Sequence, residues 1–275
     1  MSATTKIEWC DATWNPVTGC TPCSPGCDHC YAANMVRRFP HLHDSCIDAV
    51  HACAAKPLPF SCVQFHLSRL DQPFHWRRPR RVFVCSMGDL FHDDMAANWT
   101  RYVFHTMRSI RGQHHTYLLL TKRAENARSW MTMLQLSSDT LWPLPNLWLG
   151  VTVCNQAEAD AKIPVLLQTP AALRFVSIEP MLGPVDLACW LRPCSYPGGT
   201  ADDDRCLDWV IVGGETGPGA RPLSPIAGCD LRDQCVSAGV PFFWKGCGTA
   251  WLPKSHPNYH LLDGREWHQF PEVHP

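Results

Sequence analysis

"LWLGVTV", residues 147–153, is seven residues with no charge and no alternation of apolar with polar side chains. A strand with one wet face alternates. An unbroken apolar run of this length matches a strand covered on both faces, as in a parallel sheet. Five further runs have the same look: "RVFVCSM" (81–87), "TYLLLT" (116–121), "LRFVSIEP" (173–180), "LDWVIVGGE" (207–215) and "PFFWKG" (241–246). An early strand around "IEWCDATWNPV" (7–17) completes a set of six or seven.

Between these runs the period changes. Met95, Trp99, Val103, Met107 and Ile110 recur at spacings of three and four, which predicts a helix over 94–111. Residues 123–136, 156–168 and 226–239 also read as helices, the last closed by Gly239. Repeated strand–helix alternation implies right-handed βαβ units. A full eight-fold barrel takes about 250 residues. This chain spends many residues on the loops 40–79, 137–146 and 188–206. The expected fold is therefore α/β: a partial (βα)6-type TIM barrel, a parallel sheet with outer helices. It should form one domain over 1–275, with a C-terminal extension over about 249–275. No internal repeat or linker divides it.

The composition, 45% hydrophobic and 18% charged, supports a large core. A net charge of −1 gives no global field for nucleic acid or membrane, so a polyanion would need a local basic patch. No stretch approaches the roughly 20 apolar residues of a membrane span. "MSATTKIEW" has no apolar core after its basic residue. The expectation is a cytoplasmic protein. Its sixteen cysteines are then no disulfide framework. The scattered ones (Cys46, Cys62, Cys85 and Cys154 among them) read as small buried apolar residues.

Four cysteines are not scattered. "GCTPCSPGCDHCYA" (19–32) holds Cys20, Cys23, Cys27 and Cys30 among the loop formers Gly19, Pro22, Pro25 and Gly26. Structural zinc usually takes two C-x2-C pairs set a dozen or more residues apart, and these pairs are only four apart. Iron–sulfur is the closer match, because thiolates spaced by two and three residues can wrap one face of a cubane. The order is not that of the bacterial ferredoxin run.

Chemistry in parallel α/β folds gathers beyond the carboxyl ends of the strands. Those ends supply Ser86, Gly88 and Asp89, then Thr121 and Lys122, Asn155 and Gln156, Glu179, Glu215 with Arg221, and Lys245. Glu179 and Glu215 terminate apolar runs, so each needs a cation or a ligand to offset desolvation. Lys122, Arg221 and Lys245 are the candidate cations, and a purely structural ion-pair network would read the same. Gly213 and Gly214 either let a ligand approach the backbone or make a tight turn. "HWRRPRR" (75–81) is a basic cluster with an aromatic inside it: a phosphate contact or a solvated loop.

Cys23-x3-Cys27-x2-Cys30 is similar to the three-cysteine signature of radical S-adenosylmethionine (SAM) enzymes. The segments "TKIEWCDATWNPVTGC", "VFVCSMGDLFHDD", "YLLLTKRAENA", "IPVLLQTPAALRFVSIEPMLGPVDL" and "WVIVGGETGPGARPL" resemble the phage Gp37/Gp68-type family, a domain of unknown function with a three-cysteine motif. That family itself resembles radical SAM proteins, spore photoproduct lyase among them. The resemblance implies a [4Fe–4S] cluster on three thiolates. Its open iron would chelate SAM and cleave it reductively to a 5′-deoxyadenosyl radical. The family spacing places the ligands at Cys20, Cys27 and Cys30, while Cys23 restores the superfamily spacing, so the third ligand is Cys20 or Cys23.

The same resemblance implies further roles. His29 packs near the adenine. Ser86, Met87, Gly88 and Asp89 replace a GGE-like segment at the SAM amino group. Asn155 and Glu179 meet the SAM ribose or carboxylate. Lys122, Glu215, Arg221 and Lys245 line the substrate side as catalytic candidates. The implied partners are a nucleic-acid component (DNA, RNA or a nucleotide) and an electron donor such as flavodoxin or ferredoxin, with no membrane. The competing expectation is a non-catalytic Fe–S or zinc-binding protein that binds nucleic acid.

Overall fold

The computed structural model describes residues 5–43, 58–136, 142–191 and 205–272. Two compact units divide the chain. The first comprises Met1–Cys23, Cys30–Leu149 and Pro170–Ala172; the second comprises Ser24–His29, Gly150–Thr169 and Leu173–Pro275.

The first unit contains β1 (Ala12–Trp14), β2 (Val17–Thr18), α1 (Tyr31–Arg38), β3 (Gln64–Phe65), β4 (Arg81–Val84), α2 (Ala97–Arg108), β5 (Thr116–Thr121) and α3 (Ala124–Leu136). β6 (Leu147–Val153) begins in it and ends in the second unit. The second unit continues with α4 (Gln156–Gln168), β7 (Leu173–Ile178), β8 (Trp209–Val212), α5 (Pro225–Ala238) and β9 (Phe242–Trp244). Seven strands follow the hydrogen-bonded order β1-β4-β5-β6-β7-β8-β9, and β2 with β3 makes a separate antiparallel ribbon. The α/β class and the parallel pairing expected from the apolar runs are both present. Ala12 pairs with Val82 and Arg81 with Thr116 in one unit; Phe175 pairs with Trp209 and Val210 with Phe242 in the other.

Burial explains why these runs do not alternate. Every residue of β6, β8 and β9 is buried. Each large apolar side chain so covered stabilises the fold by about 1.5–3 kcal/mol. Gly150 inside β6 is a packing requirement, since a Cβ there would lie 2.5 Å from the Phe175 ring. Local signals set the helix ends. In α5 the Ser224 hydroxyl accepts from Ala227 N at 3.4 Å, Pro225 opens the first turn, and Gly239 closes the helix at φ 72°.

Several expectations shift. The first strand shrinks to Ala12–Trp14. Helix α2 stops at Arg108, so Ile110 leaves the apolar face and is 84% exposed. The reason is a turn in which Gly112 N donates to Ser109 O. Among the scattered cysteines Cys85 and Cys154 are buried as expected, but Cys62 is disulfide-bonded and Cys189 is exposed. Cys46 lies outside the described residues. The C-terminal extension packs onto β9: Trp244 N donates to Trp267 O at 2.7 Å, and Phe243 bridges His268 antiparallel. Among the described residues no helix is long and apolar enough to cross a membrane.

Candidate functional site

In the first unit the polar groups at the ends of β4 and β5 gather around one arginine. Arg123 follows β5 directly and its side chain is 8% exposed. Its NH2 donates to Thr21 O (3.0 Å) and Thr21 Oγ1 (2.9 Å), and its NH1 donates to Cys20 Sγ and Asp89 Oδ2, both at 3.4 Å. Burial works against its charge, yet Cys20 and Asp89 beside it push its pKa above the ordinary arginine value. Asp89 is 4% exposed and accepts from Thr121 Oγ1 at 2.8 Å, Phe91 N at 3.0 Å and Lys122 N at 3.3 Å. Its carboxylate thus braces β4 against β5 and the segment that carries Cys20. His92 Nε2 meets Thr21 Oγ1 at 2.7 Å, and burial, then Arg123, lowers its pKa.

Ser86, Met87 and Gly88 form the neighbouring turn. Asn15 Oδ1 accepts from Ser86 Oγ (3.2 Å) and Met87 N (2.9 Å), and Tyr31 donates its hydroxyl to Ser86 O. Gly88 bridges Gly19, where an added Cβ would sit 3.0 Å from Gly19 O. Below this turn lies a buried relay. His43 Nε2 faces Pro59 O at 3.2 Å and must donate there, which leaves Nδ1 to accept from the Thr18 hydroxyl at 2.9 Å. His66 Nε2 then donates to Thr18 Oγ1 at 2.8 Å. Burial holds His66 down to about 3, so it stays neutral.

In the second unit Glu215, 6% exposed, is the centre. Arg221 grips it with Nε at 2.9 Å, NH2 at 2.5 Å and its own backbone N at 2.8 Å, and His29 Nδ1 lies 2.9 Å away. Burial alone would raise this carboxyl; the Arg221 bonds reverse that and hold it at about 2. Arg221 also donates to Asp28 Oδ2 at 3.0 Å and Pro25 O at 2.9 Å. Glu215 and Arg221, expected on the substrate side, therefore spend their bonds clamping the turn that carries Cys27. Glu179 and Lys245 form a two-pronged ion pair. Gly213 leaves them room, since a Cβ there would sit 3.1 Å from Lys245 Cβ. Gly214 instead admits the chain's own backbone, since a Cβ there would lie 2.5 Å from Cys247 O. Asn155 caps α4, with its Oδ1 accepting from Glu158 N at 3.0 Å.

Cys20, Cys23 and Cys30 belong to the first unit and Cys27 to the second. None of the four is in a disulfide; Cys23 is exposed and the others are half-buried. Soft, accessible and unbridged thiols are a suitable donor set for iron and sulfide. They are not preassembled: among the described residues no three His, Cys, Asp or Glu side chains stand together as a metal-holding group.

A family model described as "Protein of unknown function (DUF5131)" matches residues 4–271. The chain belongs to the DUF5131 family. No curated protein and no solved structure matches it significantly.

Sequence reasoning missed three residues of this DUF5131 chain: Arg123, Asn15 and Asp28. Arg123 stands beside Lys122 in "LTKR", and nothing in that string says which of the two bonds Asp89 and Cys20. Asn15 and Asp28 gave no signal beyond being polar residues in loops.

Proposed function

We propose that this DUF5131 chain is a radical SAM enzyme on a partial (βα)6 barrel, modifying or repairing a nucleic-acid component. Cys27, Cys30 and either Cys20 or Cys23 would hold a [4Fe–4S] cluster. The observation that carries it is a run of cysteines closely spaced in sequence, none in a disulfide, following the first strand of a parallel β/α order. When bound, the cluster would supply the electron that cleaves SAM reductively, drawn from a flavodoxin- or ferredoxin-type donor in the cytoplasm.

The chain's own residues support this in named ways. Arg123 holds Thr21 and Cys20 at the end of β5. Arg221 and Glu215 hold the Pro25–His29 turn and orient the His29 ring through Nδ1, which leaves its carbon edge 3.7 Å from the Cβ position of Gly219. Ser86, Met87 and Gly88 offer a backbone turn fixed by Asn15, and Asn155 stands at the start of α4. Glu179 holds Lys245 in an ion pair, and Lys245 Nζ is the candidate donor for an anionic group of the substrate.

Anaerobic reconstitution with iron and sulfide is the test. The expected result is a brown protein whose electron paramagnetic resonance signal changes with SAM and which releases 5′-deoxyadenosine under dithionite. Colourless protein that takes up zinc instead would establish the non-catalytic metal-binding alternative.

A further inference from the structure

The chain balances 24 basic against 25 acidic residues, yet their distribution is uneven. Residues 72–88 and 95–124 contain no Asp or Glu at all. The structure folds parts of these two stretches together in the first unit. Thr116 N donates to Arg80 O at 2.9 Å, His115 Nε2 meets Pro73 O at 2.9 Å, and His114 Nε2 meets Trp76 O at 3.2 Å. The segment before β4 and the turn between α2 and β5 thus make one surface, on which Arg77, Arg78, Arg108 and Arg111 are exposed. Both segments enter their strands, whereas Asp89, Thr121 and Lys122 lie where the same strands end. The surface is therefore at the opposite end of β4 and β5 from the candidate site.

Its chemistry is specific. Every Lys/Arg side chain from 72 to 121 is arginine. Two of the guanidinium groups are laid on rings: Arg111 lies 5.0 Å from the Phe74 centroid and Arg80 5.4 Å from that of Trp76. Stacking pre-orders the planar forks, which suits two-pronged contacts to phosphate rather than a diffuse field. Asp71, which precedes the first stretch, lies 3.3 Å from His75, and Asp11 pairs with Arg81.

We propose that this arginine face, formed by residues 74–80 and 108–114, is a docking surface for the phosphate backbone of a nucleic acid, separate from the carboxyl-end site. It is independent of the radical SAM reading, because it is a binding property of the protein without any cofactor.

Titration of the cofactor-free protein with a fluorescent DNA duplex of arbitrary sequence, at several salt concentrations, tests it. If about four phosphates are contacted, affinity should fall about a hundredfold between roughly 50 and 200 mM salt. Arg77→Glu with Arg78→Glu should weaken binding at least tenfold. The milder Arg77→Gln with Arg78→Gln should flatten the logarithmic salt slope by about 2. Arg205→Glu with Lys254→Glu, an equal charge change at exposed sites elsewhere, should leave binding within about twofold. Absence of binding by the unaltered protein, equal loss in the control, or equally tight binding of polyglutamate would each overturn the proposal.

Discussion

Arg123 serves Asp89 and Cys20 with a single nitrogen, its NH1 lying 3.4 Å from Asp89 Oδ2 and 3.4 Å from Cys20 Sγ. A buried carboxylate and a candidate ligand thiol therefore share one positive charge. Whatever moves one moves the other.

Arg123→Ala should destabilise the fold by about 3–5 kcal/mol, because it strands Asp89 as a buried unpaired charge. Arg123→Lys keeps the charge but loses the fork, and should fall between the alanine variant and the native chain. Urea unfolding midpoints decide it. A change below about 1 kcal/mol for the alanine variant would show that Asp89 does not depend on Arg123.

Glu215 predicts a pH window. Its folded pKa, about 2, lies below its ordinary value of 4.5. The folded state therefore favours the ionised form. The added stability is complete above 4.5 and drains away as pH falls from 4.5 towards 2. Glu215→Gln removes that titration, so its stability should fall less steeply with acid over this window. Chemical denaturation at stepped pH measures it, and parallel curves for the two proteins would refute the assignment.

Alanine replacement along the cysteine loop separates ligands from bystanders. Cys27→Ala and Cys30→Ala should each abolish iron and sulfide uptake on anaerobic reconstitution. Only one of Cys20→Ala and Cys23→Ala should do so. Arg123 bonds Cys20 at 3.4 Å, so Cys20→Ala also removes a contact that positions the arginine. Iron content unchanged in both variants would refute the three-thiolate assignment.

Gly19 sits at φ +93°, and a Cβ there would lie 2.3 Å from Cys62 O. Gly19→Ala must move backbone on one side or the other, at a cost of about 1–3 kcal/mol. The same substitution displaces the bridge to Gly88 just before Cys20. Thermal unfolding should show the loss, with an unchanged midpoint counting against it.

The run at 147–153 is legible to the residue because every position of that strand is buried, and the run at 116–121 because most of its positions are. The helix over 156–168 was equally legible, since Asn155 caps it. Legibility failed where long-range contacts decide. Nothing local marks Cys85 for its φ of +57° at the end of β4, or reveals that Arg123 is the cation that reaches Asp89 and Cys20. The carboxylates at strand ends need a cation or a ligand, and both take cations: Glu215 takes Arg221 and Glu179 takes Lys245. That the first pair would hold the Pro25–His29 turn depended on a contact 186 residues apart in sequence, which no spacing announces.

The pairing of residues 267–269 against β9 has a consequence for crowded solutions. A bare strand edge is a template on which a second molecule can add its own strand. Here Trp267 O and Gln269 N already occupy hydrogen-bonding positions along Phe242–Trp244. Stacking of copies through that side would first require the tail to peel away, so removal of the tail should turn a dispersed protein into one prone to aggregate.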